Sequence, residues 1–179
     1  MKNKKNPQVS IIIRTKNEEK YIKHCLEKIK KQKFTILVIG KQGYHNFENR
    51  THHNFIFIDY LKSHIKKLLY YSAADLLAAT SIVEAFGQVI CEAASCNTPS
   101  IVIKKTGCAS IIEHKKNGYI VENKTEINRG INWIFSLSKK QKKIIDQNSR
   151  DIAVKNYKQS NITKKYIDLY KDIIKEEVF

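Results

Sequence analysis

Short, β-branched, almost wholly apolar runs recur along this chain, and each is followed by a longer stretch with helical spacing. The runs are Val9–Ile13, Thr35–Gly40, Asn54–Ile58, Asp75–Ala79, Ser100–Ile103 and Gly118–Val121. Successive side chains of a strand point to opposite faces, so a run apolar at nearly every position belongs to a strand covered on both sides. After the first run, Tyr21, Ile22, Cys25, Leu26 and Ile29 repeat with helical period, with Asn17 placed to cap and Glu18 and Glu19 at the positive end. Further helices are expected near Ser63–Ala73, Gly87–Cys96 and Ala109–His114, and then over Glu126–Leu137, Lys139–Tyr157 and Ile162–Ile174.

Strands alternating with helices join in parallel through crossovers. The pattern therefore predicts an α/β fold: a doubly wound, mostly parallel Rossmann-like sheet with a helical C-terminal tail, binding ligands at the carboxyl ends of its strands. No internal repeat or linker interrupts the rhythm, so 1–179 reads as one domain. Within it, 1–8 is a flexible basic start, 9–124 the α/β core and 125–179 the helical tail. The polar loop Lys41–His53 is expected to be the least ordered.

Several function classes fall away on composition. No apolar run approaches the ~18 residues of a membrane span. The basic opening Met1–Pro7 leads to an apolar run that ends at Ile13, too short for a secretory core. A soluble cytoplasmic protein is expected. The net charge is +16, from 33 Lys+Arg against 17 Asp+Glu, but 29 of the 33 are Lys and only 4 are Arg. Nucleic-acid readers use Arg forks and clustered aromatics, whereas these lysines are spread over every helix. The charge reads as a solvated basic surface, with no nucleic-acid partner, and with peripheral contact to the anionic inner face of a membrane as the lesser expectation. Cys25, Cys91, Cys96 and Cys108 have no Cys-x-x-Cys spacing and read as small buried hydrophobes. The six histidines form no His-x-x-x-His pair, so no metal site is expected.

The stretch that carries chemistry is Ser81-Ile82-Val83-Glu84-Ala85-Phe86-Gly87-Gln88-Val89-Ile90-Cys91-Glu92. Glu84 falls in the loop after a strand, and Glu92 more than a turn into the next helix. Between them, Phe86-Gly87-Gln88 would offer backbone amides at the positive end of that helix, a phosphate site, with Gly87 letting the backbone come close to a ligand. On spacing alone a blander arrangement stands beside this one, in which Glu84 caps the helix and Glu92 faces solvent.

Tyr70-Tyr71-Ser72-Ala73-Ala74-Asp75, Ser81–Gly87, Glu92–Pro99, Lys105–Glu113 and Asn117–Val121 together resemble the group 1 (family 4) glycosyltransferases, in the right order and spacing over roughly residues 54–174. The resemblance implies the carboxy-terminal, nucleotide-sugar-binding half of a two-domain GT-B fold. It implies that Glu84 contacts the transferred sugar and stabilises an oxocarbenium-like transition state. Glu92 is implied to bind the ribose hydroxyls, while Phe86, Gly87 and Gln88 lie over the sugar and phosphates. Members retain anomeric configuration and generally use no metal, and no Asp-x-Asp occurs here. The donor would be a nucleotide-diphosphate sugar, the acceptor a saccharide or lipid-linked glycan, and the pathway polysaccharide or glycoconjugate synthesis.

There are two departures from the family pattern. The family's amino-terminal acceptor domain has no counterpart in 179 residues, so a separate acceptor-domain chain is an expected partner. Without it the chain could equally be a non-catalytic binding remnant. Residues 9–34, opening Val9-Ser10-Ile11-Ile12-Ile13-Arg14-Thr15-Lys16-Asn17-Glu18-Glu19, resemble instead the start of family 2 glycosyltransferases, as a fused or rearranged reading frame would. Arg14 and Lys20 fall near the family's diphosphate-gripping Arg and Lys, suitable by charge and geometry, or are ordinary surface cations. Gly40 ends a strand near the expected nucleotide pocket.

Overall fold

The computed structural model describes residues 10–14, 34–40, 54–81 and 84–176. Strands β1 (Ser10–Arg14), β2 (Thr35–Ile39), β3 (Asn54–Ile58), β4 (Leu76–Ala79), β5 (Ser100–Ile103) and β6 (Gly118–Val121) form one sheet in the order β3-β2-β1-β4-β5-β6. Every pairing is parallel. The helices are α1 (His64–Ala73), α2 (Gln88–Ser95), α3 (Ile127–Ser136), α4 (Lys139–Tyr157) and α5 (Gln159–Glu176), with short 3₁₀ turns at Gly107–Ile111 and Lys124–Glu126. The expected helix over 18–32 and the loop 41–53 lie outside the described residues.

The alternation of β4 shows why its run is apolar throughout. Leu76 and Ala78 join Ile36, Val38, Ile101 and Ile103 under α3, whose Ile127, Ile131 and Ile134 close that core. Leu77 and Ala79 join Val102 on the opposite face, against Tyr71 of α1, Ile90 and Ala93 of α2, and Cys108. The helical last third therefore divides. α3 is a core helix, α4 lies against α2, and α5 packs on α4 while turning Tyr166, Leu169, Tyr170 and Ile173 outward on one face.

Side chains fix the ends of these elements. Ser63 caps α1 by accepting the Lys66 amide, and Ser138 and Gln141 form a reciprocal capping box on α4. Buried Asn117 donates from Nδ2 to the Ile111 carbonyl (3.1 Å) and accepts the Glu113 amide at Oδ1 (2.7 Å), joining the 3₁₀ turn to the start of β6. The turn occupies 107–111 rather than the expected 109–114, because Glu113 is held by Asn117 instead of continuing a helix. β1 and β4 are neighbours although their crossovers run in opposite directions along the sheet. Their carboxyl ends, with Arg14 in register with Ala79, mark the switch point where open α/β sheets leave a crevice.

Candidate functional site

The loop that leaves β4 reaches Glu84 and enters α2 through Gly87. Gly87 has φ +83°, the left-handed conformation that glycine adopts without strain, and a Cβ there would stand 2.5 Å from Cys108 Sγ. Its amide, expected to be free, donates to Glu84 Oε1 at 3.3 Å, so Glu84 ties down the N-cap residue and leaves the first-turn amides of α2 without a side-chain cap. The Gly87 carbonyl takes the Ile90 amide at 2.8 Å. Gln88 and Val89 follow in the first turn, where amides have no acceptor inside the helix. They supply the donors that an anion would meet at the positive end of the dipole. Phe86 lies on the surface of this loop with its ring edge-on to Tyr157 of α4, centroids 5.4 Å apart.

Glu92 does not face open solvent. Its Oε1 accepts from Lys67 Nζ at 3.1 Å and its Oε2 from the Tyr71 hydroxyl at 3.2 Å, with the Lys67 and Glu92 side chains each 21% exposed. Lys67 and Tyr71 are four apart on α1 and so share a face. That spacing marks Lys67 and Tyr71 as neighbours on α1 but carries no sign of Glu92, so the cluster is missed by sequence reasoning. A carboxylate has about four lone-pair sites, so these two contacts orient Glu92 and leave it able to accept sugar hydroxyls.

Between the two carboxylates lie two thiols. Burial, reinforced by the Glu84 charge, pushes the Cys108 thiol up to about 11. Burial, then Cys108 and Glu92, pushes Cys91 up to about 11 as well. Both stay protonated and neither is a nucleophile at neutral pH. Burial, with Cys91 nearby, also raises Tyr157. Cys91 and Cys96 are partly exposed rather than buried, unlike Cys108.

The other expected residues are placed as follows. Gly40 stands just past β2, and its amide donates to the Ile58 carbonyl at 3.1 Å, extending the sheet at its carboxyl edge. Arg14 ends β1 at that same edge, though its side chain, like the whole of Lys20, lies outside the described residues. Glu84, Phe86, Gly87, Gln88 and Glu92 are brought together on one strand–loop–helix unit. Among the described residues, no group of three or more His, Cys, Asp or Glu could hold a metal ion, and no helix is long and apolar enough to cross a membrane.

The family model for glycosyl transferases, group 1, matches residues 2–151. The chain belongs to that family. The match takes in residues 9–34 as well, the stretch expected to be foreign to the family. An uncharacterized glycosyltransferase of Methanocaldococcus jannaschii is 31% identical over 121 residues, 66% of this chain and 30% of that protein. A glycosyltransferase from Rickettsia africae superposes with a TM-score of 0.76 at 23% identity, over 95% of this chain and 49% of its own. HepE of Anabaena in complex with UDP-glucose does so with a TM-score of 0.71 at 20% identity, over 90% and 48%. The carboxy-terminal domain of a group 1 glycosyl transferase (LpcC) from Francisella tularensis matches at 0.67 and 23%, with 84% of this chain and 87% of that domain covered. The glycosyl transferase half described here thus spans about half the length of the full-chain structures it resembles and less than a third of its curated relative.

Proposed function

We propose that this chain binds a nucleotide-diphosphate sugar and supplies the donor half of a retaining, metal-independent glycosyl transfer in polysaccharide or glycoconjugate synthesis. The observation that carries this reading is the pair of glutamates flanking the open amides of α2 at the carboxyl edge of a parallel sheet. The helix end receives the diphosphate, Glu92 accepts ribose hydroxyls from a position set by Lys67 and Tyr71, and Glu84 faces the sugar. Arg14 and Lys20 add positive charge to the diphosphate from the strand beyond the switch point. HepE, which shares the fold, was solved with UDP-glucose, and that supports a nucleotide sugar as the donor class.

The acceptor is a saccharide or lipid-linked glycan held by an acceptor half outside the present sequence or on a separate chain. The outward apolar face of α5 suits such a partner. The complex would work in the cytoplasm, with the basic surface resting against the anionic inner face of a membrane, and without nucleic acid.

Calorimetry against the common nucleoside diphosphates tests the site. At least one binds with Kd of about 1 mM or tighter, near −4 kcal/mol. No binding across the panel by a folded sample overturns the reading.

A further inference from the structure

The turn that follows β5 presses on the loop that carries Glu84. The Gly107 amide donates to the Glu84 carbonyl at 2.8 Å. A Cβ at Gly107 would stand 2.0 Å from the Ala85 oxygen, 2.2 Å from the Ala85 carbonyl carbon and 2.5 Å from the Glu84 oxygen. These are backbone atoms, so no side-chain rotation relieves the overlap. One residue on, Cys108 fills the space beneath Gly87 at the other end of the same loop. The turn itself is braced. Thr106 Oγ1 donates to the Ile103 carbonyl and Ser110 Oγ to the Gly107 carbonyl, each at 2.7 Å, while Cys108 and Ile111 are buried.

We propose that Gly107 is a positioning residue: its close approach sets where the Glu84–Ala85 peptide, and with it the Glu84 carboxylate, stands against the sugar end of the donor. The inference rests on the donor-binding reading above. A methyl at 107 has to move the Ala85 carbonyl by more than an ångström, because the turn below it is packed and bonded. The nucleoside end is insulated from that shift, since Glu92 lies beyond the first turn of α2 and is held from α1 by Lys67 and Tyr71.

The experiment compares a nucleoside diphosphate with its nucleotide sugar on the wild type and on Gly107→Ala, using the UDP, GDP and ADP pairs and their glucose or mannose esters. Gly107→Ala should bind the nucleoside diphosphate within about threefold of wild type but lose about tenfold or more in affinity for the nucleotide sugar, the scale of one hydrogen bond to a charged group. In a Glu84→Ala background the same change should cost nothing further at the sugar, a coupling that a merely structural role would not produce. If Gly107→Ala does not fold, amide exchange in the wild type decides. The Gly107 amide should exchange more slowly with nucleotide sugar bound than with the nucleoside diphosphate alone. Equal losses for both ligands, additivity with Glu84→Ala, or ligand-independent exchange at Gly107 each overturn the proposal. A wild type that binds neither ligand overturns the donor-binding reading itself.

Discussion

Replacing Glu92 by Gln keeps the shape of the side chain and its place beside Tyr71 but removes the charge that faces Lys67. Two effects separate in the measurement. At the ligand, a ribose hydroxyl loses a charged acceptor, which is worth about 1.5–3 kcal/mol, or about a tenfold to hundredfold rise in nucleoside diphosphate Kd. In the free protein, the amide oxygen still accepts from Lys67, so the folding penalty should stay near 1 kcal/mol, as for a part-exposed ion pair. Glu92→Ala strips both contacts and should bind at least as weakly, with a somewhat larger loss of stability. Lys67→Met leaves the carboxylate in place but held by Tyr71 without the lysine, and should weaken binding in the same direction by less. Calorimetric titration gives the affinity, and urea unfolding of the same samples gives the stability. Glu84→Ala is the contrast: its carboxylate is proposed to face the sugar, so nucleoside diphosphate affinity should hardly change. If folded Glu92→Gln and Glu92→Ala bind the nucleotide as wild type does, the ribose assignment is refuted.

The isolated chain should not transfer sugar at ordinary enzyme rates, ~1 per second or above. Positioning of the acceptor accounts for about 7–11 kcal/mol of such barriers; slow Glu84-dependent donor hydrolysis, followed by mass, is the expected residue of activity. Asn117→Ala should destabilise the fold by about 3 kcal/mol, since it leaves the Ile111 carbonyl and Glu113 amide without their partner, and thermal unfolding should show a midpoint lower by about 6–12 °C. Cys91 and Cys108, both raised to about 11 in the fold from an ordinary 9.0, need to remain neutral. Their contribution is therefore complete below pH 9 and lost as the pH climbs from 9 through 11, which urea midpoints across that range should show. Both should also resist iodoacetamide at pH 8 in the native state and react once the chain is unfolded.

The sheet was legible because parallel strands need apolar residues on both faces, and Leu76–Ala79 or Ser100–Ile103 announce that without reference to anything else in the chain. The placement of Glu84 and Glu92 on one strand–loop–helix unit was legible for a similar reason, since that unit is local. What surrounds them was not. Lys67 and Tyr71 lie 25 and 21 residues before Glu92 and meet it only because α1 and α2 pack side by side on one face of the sheet. Gly107 shows no left-handed backbone and no turn signature. Its constraint comes from a loop more than twenty residues upstream, and periodicity has no access to such a contact. Gly87 was expected to ease a ligand's approach, but the structure gives it a further task, admitting the Cys108 sulfur beneath the helix entrance.

The contact between Phe86 and Tyr157 has a consequence for how the protein is made. The Glu84–Gly87 loop is made well before Tyr157, the ring at the end of α4 that packs against Phe86. A ribosome adding ~5–20 residues per second makes Glu84 and its loop about 1–5 s before Gly107, which holds it, and about 4–15 s before Tyr157, which packs on it. During synthesis the loop passes through a bare, unbraced interval, and a chain stopped short of residue 157 would carry both glutamates without the wall that keeps the loop in place.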